Sequence, residues 1–168
     1  LYFDTPENIC LNDHIRERKN KYKVRIRLYV NSNICFLEIK KKNVHGRTMK
    51  MRIQRTSEKW DSPLTDFEKR FLSERVPFAS ELSPVLYISY SRFTLAQLKR
   101  CERITLDTNL TYTTIQGEIS KPLNGLVVVE LKQAETNRRS PLFVFLRSMP
   151  ERTTQLGRII KISKYVLG

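Results

Sequence analysis

Hydrophobic and polar positions alternate along several short segments of this chain, which is the pattern of half-buried β-strands. In residues 22–30, the apolar positions 24, 26 and 28 alternate with three cations, Lys23, Arg25 and Arg27. Because successive side chains of a strand point to opposite faces, all three cations are predicted on one face of a sheet. A strand face that is wholly cationic is unusual and indicates an anionic ligand.

The same alternation returns in three further segments of the chain, at residues 36–40, 50–54 and 128–132. Two of these segments place a glutamate and a lysine on the charged face, Glu38 with Lys40 and Glu130 with Lys132. Several strands therefore carry one apolar face and one face rich in Lys and Arg. If the sheet closes on itself, those charged faces line a common cavity that suits a polyanion.

Turn-forming residues separate the alternating segments and predict how they connect. Residues 31–33 form a predicted turn, so residues 22–40 are predicted to form a β-hairpin. Three more strands are predicted, at residues 85–93, 104–113 and 125–133. Roughly seven strands, mostly joined by hairpins, predict an antiparallel sheet, and closing it into a β-barrel would hide its edges.

Helical spacing of apolar residues appears in a few places between the strands. Residues 57–79 predict an amphipathic helix on the outside of the sheet, with apolar positions Leu64, Phe67, Phe71 and Leu72. Residues 141–149 are a second helix candidate, and residues 157–166 a helix or turn. The predicted fold class is therefore α+β, an antiparallel β-barrel with helices packed on the outside, in one domain spanning residues 1–168.

The net charge of the chain indicates which kinds of molecule it binds. The 168 residues hold 31 Lys plus Arg against 17 Asp plus Glu, a formal charge of +14. Such a field favours nucleic acid, phosphorylated small molecules, inorganic polyphosphate or an acidic membrane surface.

Other classes of protein are disfavoured by what the chain lacks. The three cysteines, Cys10, Cys35 and Cys101, are scattered, and no CxxC motif occurs, which argues against a zinc site. A small, odd number of cysteines suits a reducing compartment. No apolar run approaches the roughly 20 residues of a membrane span. The chain has no GxxxxGK[ST] phosphate loop and no GxGxxG motif. A cytoplasmic location is predicted, either free or at the cytoplasmic face of a membrane.

The cations on the predicted strand faces, with two near the end of the chain, are candidate phosphate ligands. Arginine offers a rigid bidentate fork to phosphate and lysine a compact point charge. The set is Lys23, Arg25, Arg27, Lys40, Lys50, Arg52, Arg92, Lys132, Lys161 and Lys164. The alternative is a sheet face exposed to water, but like charges on neighbouring strands would then repel one another with little relief.

Three acidic residues lie among these cations, namely Glu38, Asp107 and Glu130. Each is either an ion-pair partner or a ligand of a hard cation, since Mg²⁺ and Mn²⁺ take oxygen ligands and need few protein carboxylates when they bridge phosphates. Glu130 is the first candidate metal ligand and Glu38 the second, with an ion pair equally expected for Glu38. Tyr90 shares a strand face with Arg92 and is a further candidate to hold a phosphate oxygen.

Segments spread along nearly the whole chain resemble one known family in their order and spacing. They are 2–6 (YFDTP), 23–27 (KVRIR), 36–40 (FLEIK), 47–52 (RTMKMR), 90–92 (YSR), 103–107 (RITLD), 129–132 (VELK) and 161–168 (KISKYVLG). Together they resemble the polyphosphate-polymerase domain of the vacuolar transporter chaperone (VTC) family, within the triphosphate tunnel metalloenzyme (CYTH-like) superfamily. In its single-domain form the chain resembles bacterial members of the family. The family's first strand is expected to precede Leu1.

The resemblance implies a tunnel barrel that binds ATP and inorganic polyphosphate and transfers the terminal phosphate of ATP to the growing chain, releasing ADP. By matching motifs, the residues that would line the tunnel and hold the reacting phosphates are Arg25, Arg27, Lys40, Lys50, Tyr90, Arg92, Lys161 and Lys164. Glu130 would bind a divalent metal, Mn²⁺ or Mg²⁺, with Glu38 as a second acidic residue. No nucleic-acid partner is expected, a membrane-bound partner is left open, and no oligomeric state is predicted.

Two alternatives stay open at this point. A triphosphatase of the same fold would hydrolyse inorganic or thiamine triphosphate, although the Lys161-x-x-Lys164 spacing favours a polymerase, whose long product needs further phosphate sites. A non-catalytic barrel that binds nucleic acid would need aromatic residues among the cations for base stacking, and Tyr22, Tyr29 and Phe36 are candidates.

Overall fold

The computed structural model describes residues 1–97, 101–117, 119–135, 137–148 and 163–167. The strands are β1 (Tyr2–Asp4), β2 (Lys21–Tyr29), β3 (Ile34–Lys42), β4 (Thr48–Arg55), β5 (Ser83–Gln97), β6 (Glu102–Thr114), β7 (Ser120–Pro122) and β8 (Val128–Gln133). The helices are α1 (Ile9–Ile15), α2 (Asp66–Ser73), α3 (Pro141–Ser148) and α4 (Lys164–Leu167). Short 3₁₀ turns lie at Val30–Ser32 and Ala79–Glu81.

The chain divides into two compact units. Unit 1 comprises residues 1–88, 112–120 and 163–168, and unit 2 comprises residues 89–111 and 121–162. Strands β5 and β6 each contribute residues to both units.

Unit 1 is built on an antiparallel sheet with strand order β4-β3-β2-β1-β5. Strands β2 and β3 form the hairpin predicted for residues 22–40, with Arg25 opposite Glu38 and Ile26 opposite Leu37. Strand β4 pairs with the other edge of β3 and places Arg52 opposite Glu38. The hairpin prediction is therefore confirmed, and both strands extend slightly beyond it.

The predicted alternation of faces is confirmed in this sheet. Val24, Ile26, Leu37 and Ile39 are all at most 1% exposed and form the centre of the apolar core. Burying an aliphatic side chain of this size contributes about 1.5–3 kcal/mol, so these four positions fix the register of β2 and β3. The opposite face carries the cations and Glu38.

Helix α2 is shorter than the predicted helix of residues 57–79. It begins after Thr65, whose hydroxyl accepts from the Glu68 backbone N–H while the Glu68 carboxylate accepts from the Thr65 N–H, a capping box. Phe71 and Leu72 are buried as predicted, but Phe67 is 69% exposed. The prediction was wrong for Phe67, because the helix buries only the stripe that faces the sheet.

In unit 2, β8 pairs antiparallel with β6 and places Glu130 opposite Thr105. Strand β8 begins at Val128 rather than at the predicted Gly125, because Gly125 has a φ of +75°, a turn conformation that a strand does not use. Helix α3 occupies residues 141–148 of the helix predicted for residues 141–149, and residue 149 lies outside the described residues. A proline is at its first position, and the Ser140 hydroxyl accepts from the Phe143 N–H.

The fold class is α+β, a mostly antiparallel sheet with a few short helices, as predicted. Among the described strands, β4 has a neighbour only on the β3 side, so the sheet is not closed into a barrel. The tunnel that the resemblance implies stays a prediction. No helix within the described residues has the length and apolar character needed to cross a membrane.

Candidate functional site

The charged face of β2, β3 and β4 brings together six of the predicted phosphate ligands, Lys23, Arg25, Arg27, Lys40, Lys50 and Arg52. These six side chains, with Glu38 among them, are called the cationic face below. The register places Lys23, Lys40 and Lys50 in one cross-strand row. The next row along the strands holds Arg25, Glu38 and Arg52. A single alternating sequence pattern in three paired strands is sufficient to assemble this surface.

Glu38 is the electrostatic centre of the cationic face. Its side chain is 0% exposed, and Arg25 donates to its Oε2 from Nε and Nη2 at 3.0 and 2.7 Å. Lys50 Nζ lies 2.5 Å from the other oxygen, Oε1. Burial opposes ionisation, but Arg25 and Lys50 more than offset it and hold the pKa of Glu38 below its ordinary value. The carboxylate is therefore charged at neutral pH and orients the two cations.

Lys23 shows the effect of crowding like charges. Its Nζ donates to Ser163 Oγ at 2.8 Å, a contact between residues 140 positions apart. Burial, followed by repulsion from Lys40, Arg25, Lys21 and Lys164, lowers the pKa of Lys23 to about 8. A phosphate group beside Lys23 would reverse this shift, because an anion stabilises the charged ammonium.

Aromatic residues support the cationic face from one side. Arg25 Nη1 donates to the Tyr2 hydroxyl at 3.0 Å. The Tyr2 ring stacks on Tyr165 with 4.9 Å between ring centroids, and the Tyr165 hydroxyl donates to Asp4 Oδ2 at 2.6 Å. Sequence reasoning did not find Tyr2, Asp4, Tyr165 or Ser163, because these contacts join segments far apart in the chain and no local periodicity signals them.

The aromatic residues proposed for base stacking have other partners. The Arg52 guanidinium carbon lies 4.2 Å from the Phe36 ring centroid, and that of Arg27 lies 4.7 Å from the Tyr29 centroid. Tyr22 is 7% exposed and packs edge-to-face against Phe78. The chain's own side chains therefore use these rings, which disfavours the nucleic-acid alternative.

Unit 2 contains a second group of predicted ligands. Arg92 donates from Nε and Nη2 to the Asp107 carboxylate at 2.5 and 2.6 Å, and Asp107 is 1% exposed. This hydrogen bond raises the pKa of Arg92, despite partial burial. The Arg92 guanidinium carbon also lies 5.3 Å from the Tyr90 ring centroid, so the predicted Tyr90–Arg92 neighbourhood is present. Asp107 thus acts as an ion-pair partner that fixes the arginine.

Glu130 has a more open environment than Glu38. Its side chain is 48% exposed, and Lys132 Nζ lies 3.6 Å from its Oε1. No cluster of three or more His, Cys, Asp or Glu is positioned to hold a metal ion within the described residues. Mg²⁺ and Mn²⁺ that bind phosphates need only one or two carboxylates. Glu130 fits that requirement, whereas the contacts of Glu38 with Arg25 and Lys50 favour its ion-pair role.

Two further predicted ligands lie near the end of the chain. Lys161 lies outside the described residues. Lys164 opens helix α4 in unit 1, and its charge is one of those that lower the pKa of Lys23. The roles assigned to all the ligand candidates remain predictions.

The sequence profile of the VTC domain matches residues 1–168. The chain belongs to the VTC domain family. No curated protein sequence matches the chain. Membership of the family supports a function related to polyphosphate polymerases for this VTC domain.

Proposed function

We propose that this VTC domain is a metal-dependent polyphosphate polymerase that transfers the γ-phosphate of ATP to a growing inorganic polyphosphate chain. The observation that carries the proposal is the cationic face, where cross-strand rows of Lys and Arg surround one buried carboxylate. Phosphate chains carry negative charge at regular intervals. Cations fixed at intervals on three paired strands match that distribution.

The proposed reaction needs no protein nucleophile. An oxygen of the terminal phosphate of the acceptor chain attacks the γ-phosphorus of ATP and forms a new P–O bond. The bond between the γ-phosphorus and its bridging oxygen breaks, and ADP leaves with that electron pair. Arg25, Lys40 and Lys50 would hold phosphate oxygens in line and stabilise the charge that shifts between them, since positioning and charge neutralisation supply most of the catalysis in phosphoryl transfer.

Arg25 is suited to this task by its contacts. Two of its nitrogens are held by Glu38 and one by the Tyr2 hydroxyl, so the guanidinium is fixed before any ligand arrives. A preorganised cation costs little reorganisation when phosphate binds. Arg27 and Arg52 would provide further phosphate contacts in unit 1. Arg92, with Tyr90 and Lys132, would bind phosphate in unit 2.

The proposed cofactor is a divalent metal, Mn²⁺ or Mg²⁺. Bound to phosphate oxygens, the metal would neutralise charge on the leaving ADP. Glu130 is the residue proposed to hold it, because its carboxylate is accessible and carries only one long ion-pair contact among the described residues. With ATP as the phosphate donor, the reaction is placed in the cytoplasm or at the cytoplasmic face of a membrane.

Product analysis tests the proposal. The chain would be incubated with ATP, Mn²⁺ and a short polyphosphate primer, and the products resolved on a polyphosphate gel with ADP measured in parallel. A ladder of long chains with matching ADP is expected. Free phosphate without a ladder would replace the polymerase with a triphosphatase. No turnover at all would refute both and restore the alternative of a non-catalytic binding domain.

A further inference from the structure

A buried carboxylate in unit 1 lies outside the proposed chemistry and gathers segments from both ends of the chain. Asp4 is 0% exposed. Its Oδ1 accepts from the Thr5 and Cys10 N–H groups at 2.8 Å each, and its Oδ2 accepts from the Leu11 N–H at 2.9 Å and from the Tyr165 hydroxyl. Asp4 therefore joins β1, the first turn of α1 and helix α4.

Two sets of contacts link Tyr165 to the cationic face. Its ring is 4% exposed and lies parallel to the Tyr2 ring, with an interplanar angle of 1°, and Tyr2 contacts Arg25 through its hydroxyl. Two residues before Tyr165, the Ser163 hydroxyl accepts from Lys23. Both cations reached in this way belong to the proposed phosphate site.

We infer that Tyr165 is a positioning residue that, through its hydrogen bond to Asp4, fixes the segment 163–167 against the cationic face. This inference rests on the proposed function, because it assigns Tyr165 to the same phosphate site. Lys23 lies among like charges that repel it, and the Ser163 hydroxyl is the neutral acceptor that holds its ammonium in place. A loosely held segment would let Lys23 and Lys164 move apart.

A phenylalanine at position 165 separates the hydrogen bond from the ring stack. Tyr165→Phe keeps the stacked ring and removes only the hydroxyl that contacts Asp4. Tyr112→Phe is the matched control, because Tyr112 is also 4% exposed and its hydroxyl has no hydrogen-bond partner among the described residues. Calorimetric titration with inorganic tripolyphosphate should show about five- to tenfold weaker binding for Tyr165→Phe. The control should stay within about twofold of wild type.

A double-mutant cycle separates positioning from a general loss of stability. If Tyr165 acts through Lys23, Tyr165→Phe should weaken binding much less in a Lys23→Ala background than in the wild type. Tyr2→Phe removes the hydroxyl that contacts Arg25 and so breaks the other set of contacts. Its binding of tripolyphosphate should weaken by a similar factor. Additive effects in the cycle, or unchanged binding in both Phe variants, would overturn the positioning role.

Hydrogen exchange provides a measurement that needs no ligand. The amides of residues 163–167 should exchange faster in Tyr165→Phe than in Tyr112→Phe, and equal exchange would overturn the inference. If the wild-type chain binds no tripolyphosphate, the proposed function fails and the positioning role falls with it. Normal wild-type binding without coupling to Lys23 would remove the positioning role alone.

Discussion

Two segments of this chain share the pattern Glu-x-Lys and differ in what the fold makes of it. In β3, Glu38 is fully buried between Arg25 and Lys50, and Lys40 lies in the neighbouring cross-strand row. In β8, Glu130 is half exposed, and its one ion pair among the described residues is the long contact with Lys132. One carboxylate fixes the cations around it, and the other is accessible to a ligand.

The cause of the difference is the position of each strand in its sheet. Strand β3 lies between β2 and β4, so Glu38 meets cationic strands on both sides. Strand β8 pairs with β6 and places Thr105, a neutral residue, opposite Glu130. The same local motif can therefore serve as an internal counter-ion or as an open oxygen ligand, and only the neighbours decide between them.

The sharpest test of this division is removal of Glu130. Glu130→Ala should lower metal-dependent ATP turnover about a thousandfold, since a metal that neutralises developing charge supplies several kcal/mol of the barrier reduction. Weak ATP binding should persist. The exposed Glu135 provides a control of equal charge change in the same unit, and Glu135→Ala should retain activity. Normal turnover of Glu130→Ala would remove this residue from the metal site.

Glu38 should contribute more than Glu130 to the free energy of unfolding, whereas Glu130 should contribute more to turnover. Glu38→Gln leaves Arg25 and Lys50 without their counter-charge and should lower the free energy of unfolding by about 3 kcal/mol, the usual cost of breaking a buried ion pair. Glu130→Gln should change it by no more than about 0.5 kcal/mol. Urea unfolding of the two variants measures both values. Equal losses would contradict the assignment of Glu38 as the internal counter-ion.

Acid titration should separate the same two residues. Because the pKa of Glu38 is lower in the folded state than in the unfolded chain, its charge stabilises the fold above its ordinary pKa, and this contribution is lost as the pH falls through the lowered value. The stability difference between wild type and Glu38→Gln should therefore shrink as the pH falls below about 4. A difference that persists unchanged in acid would exclude an electrostatic origin.

Lys23 should give the cationic face a response to alkaline pH. Its pKa of about 8 lies below the ordinary value of 10.5, so the folded chain loses this proton first. Below about pH 8 the buried charge of Lys23 destabilises the folded chain. As the pH rises from about 8 to 10.5 this destabilisation is lost, so the free energy of unfolding increases over that range. Tripolyphosphate affinity should fall as the pH rises through the pKa of Lys23, by about fivefold between about pH 7 and about pH 9, because the ammonium that attracts phosphate is lost. Lys23→Ala should flatten this dependence.

The smallest effect is expected from Lys132. The Glu130–Lys132 pair has side chains exposed by 48% and 46%, and exposed pairs contribute little to stability. Lys132→Ala should leave the unfolding midpoint in urea almost unchanged and should reduce the salt sensitivity of turnover only slightly. A clear loss of stability would show that the β8 pair supports the fold to the same degree that the β3 pair does.

The contrast also shows how far the sequence could predict this protein. Period-two alternation identified the cationic face and its buried reverse, because side-chain direction in a strand depends only on local geometry. It could not distinguish Glu38 from Glu130, since their surroundings come from other strands. The Asp4–Tyr165 contact was missed for the same reason, and the length of α2 is set by the Thr65–Glu68 capping box within a longer apolar pattern.

The most direct test of the account is whether the cationic face itself binds phosphate chains. Calorimetric titration with tripolyphosphate would compare Arg25→Ala with Arg70→Ala, which removes the same charge from an exposed position on α2. The account predicts at least about tenfold weaker binding for Arg25→Ala and about twofold or less for Arg70→Ala. Equal losses in the two variants would mean that only the overall positive charge attracts the anion, and would contradict a built site on β2, β3 and β4.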